Sequence, residues 1–76
     1  MSNDDKEERF LNSLAKQIAS LRKAKGMTQE RLAGEADIDR VALANIETGK
    51  RRPTVRTVYR IARSLRVKVE EVFKNL

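Results

Sequence analysis

Between Lys50 and Lys68 the chain carries eight basic residues (Lys50, Arg51, Arg52, Arg56, Arg60, Arg63, Arg66, Lys68) and no acid. Side chains of this kind suit the binding of a polyanion, such as the phosphate backbone of a nucleic acid. Charge alone does not separate that from a solvated basic surface. The 17 Lys+Arg and 11 Asp+Glu give a net charge of +6, but unevenly. Residues 1–9 set Asp4, Asp5, Glu7 and Glu8 against Lys6 and Arg9, a net of −2, so the remainder nets +8. Other chemistries are poorly supplied. With no His, no Cys and a single Tyr, the usual acid–base and nucleophile sets are missing, as are zinc ligands of those types. The carboxylates fall on predicted helix surfaces, and there is no Gly-rich phosphate loop. The chain reads as a binding protein and not an enzyme, with no cofactor, metal or small-molecule ligand evident.

Such residues need a scaffold, and 76 residues provide one small domain. A core of that size, without disulfides or zinc, rests on helix packing helped by a second subunit. The absence of Cys suits a cytoplasmic setting. The acidic, polar start is unlike a signal peptide, and no apolar run approaches membrane-spanning length. Residues 1–7 read as a flexible polar tail and 8–76 as the folded domain. Phe10, Leu14, Ile18 and Leu21 recur at helical spacing, flanked by Leu11 and Ala15, and Gly26 follows Lys23 and Lys25 as a stop. Thr28 caps a second, short helix with Leu32, Ala33 and Ala36 on its apolar face. Asp37-Ile38-Asp39 is a turn whose last residue caps a third helix from Arg40 to about Thr48, which buries Leu43 and Ile46. Gly49 ends that helix, and Lys50-Arg51-Arg52-Pro53 forms a basic loop. Thr54 caps a fourth helix with a stripe of Val55, Val58, Ile61, Ala62 and Leu65. A last short helix spans about Val69 to Leu76. The fold class is all-α, with five helices and a helix-turn-helix in which small Ala33 lets the third helix cross the second.

The run Leu21-Arg22-Lys23-Ala24-Lys25-Gly26-Met27-Thr28-Gln29-Glu30-Arg31-Leu32-Ala33, followed by Ile46-Glu47-Thr48-Gly49-Lys50-Arg51-Arg52-Pro53, resembles the Cro/lambda-repressor (XRE) family. Ile61-Ala62-Arg63-Ser64-Leu65-Arg66-Val67 and Val72-Phe73 extend the resemblance over roughly residues 18–73. It implies a compact lambda-repressor-like domain acting as a sequence-specific, double-stranded DNA-binding transcriptional regulator, a repressor by preference. It implies that Gln29, at the start of the second helix, meets a DNA phosphate with help from the positive helix end. The third helix becomes the major-groove reader. By position its base-reading residues are Arg40, Val41, Ala44 and Asn45. Arg40 suits guanine O6 and N7, Asn45 suits adenine N6 and N7, and Val41 suits a thymine methyl; Ala44 leaves room for the DNA. Thr28, Asp39, Thr48, Lys50, Arg51, Arg52 and Arg56 are assigned to the phosphates and the groove edge, with Thr48, Lys50, Arg51 and Arg52 reaching the backbone through side chains or free N–H groups. Arg60 and Arg63 are assigned to a solvated face. Arg22 and Glu47 stand where the family places a structural ion pair.

Three positions depart from the family pattern. Asp37 and Arg66 occupy turn sites that are commonly Gly, and Lys68 precedes the last helix in place of a capping Ser or Asp. The apolar residues Val69, Val72, Phe73 and Leu76 are expected to form a homodimer interface. An antitoxin, a restriction–modification controller or a protein-interaction adaptor remain alternative uses of the same fold.

Overall fold

Residues 2–76 are described by a computed structural model, in which Ser2 already caps a helix. Its hydroxyl accepts the Asp5 N–H at 3.2 Å and donates to the Asp5 carboxylate at 3.0 Å. Asp4 and Asp5 lie in the first turn, where the positive helix end favours acids. Helix α1 therefore runs from Asn3 to Ala24, and the segment expected to be a tail is helical from Asn3 onward. Met1 lies outside the described residues. Four further helices follow: α2 (Gln29–Ala36), α3 (Arg40–Glu47), α4 (Val55–Leu65) and α5 (Val69–Val72). Among the described residues there is no strand, and no helix is long and apolar enough to cross a membrane.

Three of these helices stop in the same way. Gly26, Asp37 and Arg66 each take a left-handed conformation, with φ of 69°, 56° and 60°. The next N–H reaches back to a carbonyl five residues earlier: Met27 to Arg22, Ile38 to Ala33, and Val67 to Ala62, at 3.1, 3.0 and 3.0 Å. That is the Schellman closure, and its usual apolar plug is present each time. Met27 is buried, while Ile38 and Val67 pack on the core. The residue after the plug starts the next helix. Thr28 does so with a side-chain bond to the Arg31 N–H at 3.0 Å, and Thr54 likewise caps α4 through the Thr57 N–H at 3.1 Å. Asp39 and Lys68 occupy the cap position in backbone terms only, with no side-chain cap bond. For Asp39 this differs from expectation: the bond is absent, and the exposed carboxylate acts on α3 only as a charge near its positive end.

Each helix contributes to one core: Ile18, Leu32, Leu43, Ile61, Leu65 and Val72 are the largest fully buried side chains. Small Ala33 and Ala36 bring α2 close to its neighbours α3 and α4. Two expected core positions differ. Val55 is 87% exposed, because helical side chains lean toward the N-terminus and a first-turn residue points past the end of α4. Phe10 is exposed too, and its ring stacks on Phe73 with centroids 6.4 Å apart. The last helix is one turn instead of two: after Val72 the N–H groups of Phe73 and Lys74 bond to carbonyls three residues back, and Asn75 turns left-handed at φ 62°.

A left-handed arginine costs about 1–2 kcal/mol, partly offset by the ~0.5–1 kcal/mol that glycine loses in chain entropy. Arg66→Gly is therefore expected to stabilise the fold by about 0.5–1 kcal/mol, a melting-point rise of roughly 4–8 °C per kcal/mol for a domain this small. Thermal denaturation followed by circular dichroism measures this directly.

Candidate nucleic-acid interface

Helix α3 has two faces. Leu43 and Ile46 point into the core, while Arg40 and Val41 are exposed and Ala44 and Asn45 are half-buried. At ~100° per residue the latter four occupy one arc of about 140°, narrow enough to face one groove. Val41 leaves 56% of its surface in solvent, which serves no packing purpose in the protomer. Arg40 makes no ion pair among the described residues, so its planar donors are available.

The orientation of α3 is set at its other end. Arg22 is a buried charge, and it donates through Nε and Nη2 to the two carboxylate oxygens of Glu47 at 2.7 and 3.0 Å. Its Nη1 donates to the Met27 carbonyl at 2.8 Å. The Gln29 amide nitrogen adds a third bond to Glu47, at 3.0 Å to Oε1. The side chains of Arg22 and Glu47 are only 11% and 4% exposed, so water screens the pair poorly. This network joins α1, the α1–α2 turn, the start of α2 and the end of α3. Gln29, read from the resemblance as a phosphate ligand, is thus also a strut. One amide hydrogen and its carbonyl oxygen stay outside these bonds, and Thr28 beside it is exposed.

The segment after α3 is held by the helix it follows. Gly49, at φ 80°, donates to Ile46, and the N–H groups of Lys50 and Arg51 both donate to the Asn45 carbonyl, at 2.9 and 3.1 Å. Thr48 donates its N–H to Ala44, and its hydroxyl bonds the Ala44 and Asn45 carbonyls. Of the N–H groups expected to be free, those of Thr48, Lys50 and Arg51 are therefore consumed, which leaves the side chains and the Arg52 N–H for an anion. A Cβ on Gly49 would come within 2.9 Å of Asn12 Oδ1, so α1 passes close to this turn. Lys50, Arg51, Arg52 and Arg56 are all exposed. A groove lined by Asp39, Ala42, Ile46, Arg51, Arg52 and Thr54 places this loop beside the N-terminal half of α3.

Three further placements differ from the sequence reading. Arg52 is engaged by Glu8 at 2.8 Å, a contact with no local signal, since the partners are 44 residues apart. Val72 is fully buried and Val69 and Leu76 pack on the same core, so they are not free for a partner as expected. Of that set Phe73 alone is exposed, and it is covered on one side by Phe10. The large apolar residues left bare on α4 are Val55 and Tyr59, one helical turn apart, and sequence reasoning had not singled out Tyr59.

Residues 18–72 match the family described as Helix-turn-helix. The chain is 38% identical over 56 residues to an uncharacterized HTH-type transcriptional regulator of Archaeoglobus fulgidus, covering 74% of this chain and 80% of that protein. Among solved structures it is similar to the restriction-modification controller protein C.AhdI from Aeromonas hydrophila. That match has a TM-score of 0.81 and 30% identity, and covers 83% of this chain and 96% of the other. It is also similar to the restriction-modification controller protein C.Esp1396I, as a tetramer in complex with its natural 35 base-pair operator. There the TM-score is 0.74 and the identity 30%, over 86% of this chain and 96% of the other.

Arg22→Ala leaves the buried Glu47 carboxylate with the Gln29 amide as its remaining side-chain partner in this network. Removing one member of such a pair costs about 3–5 kcal/mol, whereas replacing both with apolar residues is often close to neutral. The single variant is expected to lower the melting point by at least roughly 10 °C, with Arg22→Met/Glu47→Met recovering much of the loss. Differential scanning calorimetry of the two variants tests both halves.

Proposed function

The chain belongs to the XRE-type helix-turn-helix family of DNA-binding transcriptional regulators, and from that premise we propose that α3 reads an operator in the major groove. The observation that carries this reading is the face of α3 that shows Arg40, Val41, Ala44 and Asn45 outward, on a helix braced by the Arg22–Glu47 pair. Arg40 forms the bidentate guanine contact and Asn45 the adenine contact, with Val41 against a thymine methyl. Lys50, Arg51, Arg52 and Arg56, with Gln29 and Thr28 at the N-terminus of α2, hold the flanking phosphates. They set affinity and register more than sequence preference. Asp39 and Thr48 lie at the groove edges. With one polar reader of each kind, much of the selectivity comes from DNA shape. The protein acts in the cytoplasm as a repressor and carries out no catalysis.

The operator is read by a homodimer, whose two copies of α3 address half-sites about 34 Å apart. The joining surface moves from the C-terminal residues, most of them packed on the core, to the bare side of α4 around Val55 and Tyr59, with half-buried Val67 beside it. A second and narrower reading is that the operator belongs to a restriction–modification operon. It is favoured by the similarity to two controllers of that kind, one of them solved as a tetramer on DNA.

Arg40→Ala is expected to cost roughly 1–3 kcal/mol on an operator selected from a random pool and to relax preference at one base pair per half-site. Lys50→Ala is expected to weaken operator and scrambled DNA alike and to flatten the salt dependence by about one unit of log–log slope. Fluorescence anisotropy across a salt series separates the two; equal losses on both duplexes for Arg40→Ala would make it a phosphate contact. For the dimer, Tyr59→Asp is expected to shift sedimentation velocity to the monomer and lower operator affinity while the isolated fold still melts cooperatively.

A further inference from the structure

One face of α1 carries Glu8, Asn12, Ala15 and Arg22 along the end of α3 and its following loop. Arg22 meets Glu47, Asn12 lies against Gly49, and Glu8 meets Arg52. Glu8 and Arg22 are 14 residues apart in sequence, which places them about 21 Å apart and within ~40° of one another around the helix. The two ion pairs at the ends of this row differ in kind. Arg22–Glu47 is buried and closed by further bonds, while Arg52–Glu8 is a single contact at 2.8 Å with side chains 59% and 56% exposed. It lies on the solvent side of the loop assigned above to DNA phosphates.

We propose that Glu8 is an internal competitor for the phosphate site of Arg52, so that DNA must displace a carboxylate before this contact forms. A carboxylate and a phosphate oxygen present the same acceptor chemistry to a guanidinium. The first turns of α1 hold Asp4, Asp5 and Glu7 as well, and with Lys6 and Arg9 residues 1–9 keep a net charge of −2, opposite in sign to the loop. Asp5 and Glu8 line the same side of α1 beside Asn12, with Arg9 and Lys16 bordering them. Continuation of the helix back to Asn3 is what brings this acidic surface within reach of the loop. Exposure keeps the pair weak enough for phosphate to displace it: contacts of this kind shift an equilibrium by about fivefold at most. Glu8 thereby lowers the affinity for DNA of any sequence and keeps free protein from accumulating on non-operator duplex.

The inference rests on Arg52 being a phosphate contact, and the experiment separates the two claims. Binding of wild type, Glu8→Gln, Arg52→Ala and the double variant to a fluorescein-labelled duplex of random sequence is followed by anisotropy at low salt. Glu8→Gln is expected to bind about two- to fivefold more tightly than wild type. Arg52→Ala is expected to bind more weakly, and adding Glu8→Gln to it is expected to change little. Wild-type affinity for Arg52→Ala would overturn the assignment of Arg52, and the inference with it. Weaker binding by Arg52→Ala with no gain from Glu8→Gln would overturn the competition alone. A loss from Glu8→Gln would make Glu8 an orienting partner of Arg52. An equal gain in both backgrounds would reduce its effect to general charge.

Discussion

The guanidinium of Arg22 sits where α1 ends, α2 begins and α3 finishes, in a space that water hardly enters. A charge there is tolerated only because Glu47 meets it with both oxygens and the Met27 carbonyl takes a further hydrogen. Both requirements are geometric. The carboxylate must arrive from the last turn of α3, which fixes the rotation of that helix, and the carbonyl must come from the turn that launches α2. The helix-turn-helix is thereby indexed against α1 at a polar point, in addition to the apolar packing of Leu32, Leu43 and Ile46. Apolar contacts tolerate small slides; a bidentate pair with fixed donors does not. The proposed meeting of α3 with base edges gains from that intolerance, and the exposed arc from Arg40 to Asn45 takes its orientation from Glu47.

Electrostatics divides the molecule along the same lines. The buried pair holds the frame, and the exposed bases of the loop and of the start of α4 stay free of ion pairs among the described residues, except for Arg52. Four of the eleven acids fall within the first turns of α1, which puts a net-negative end of the chain next to the positive loop. Net charge alone would describe this as a basic protein. Its distribution describes a basic surface with an acidic border.

Where local signals exist, the residues announced the structure. Gly26, Thr28 and Thr54 mark helix ends by conformational freedom or by a capping hydroxyl, and the core stripes of α2, α3 and α4 follow from their period. The stop at Arg66 was harder to read, because the left-handed turn is filled by a residue that does not favour it. What identifies it is the repeated order of turn residue, apolar plug and helix start, shared with Gly26-Met27-Thr28 and Asp37-Ile38-Asp39. The start of α1 differs from expectation because its residues are all polar, and hydrophobic periodicity is silent on a solvated turn even when Ser2 and two acids favour it. Val55 was misassigned because period does not register where a helix overruns its core. For the site, Arg22 and Glu47 were legible through the family pattern, whereas Glu8–Arg52 and Gln29–Glu47 depend on tertiary proximity that no spacing encodes.

The stack of Phe10 on Phe73 and the bond from the Gln17 amide to the Glu71 carbonyl at 3.0 Å fasten the two ends of the chain together. A single helical turn such as α5 has no order of its own, because nucleation of so short a helix is unfavourable. Its structure is lent by α4, which precedes it, and by α1, whose contact closes a loop spanning most of the chain. The solvated first half of α1 leans in turn on α5. The termini therefore lend order to each other, and removing either is expected to loosen the other.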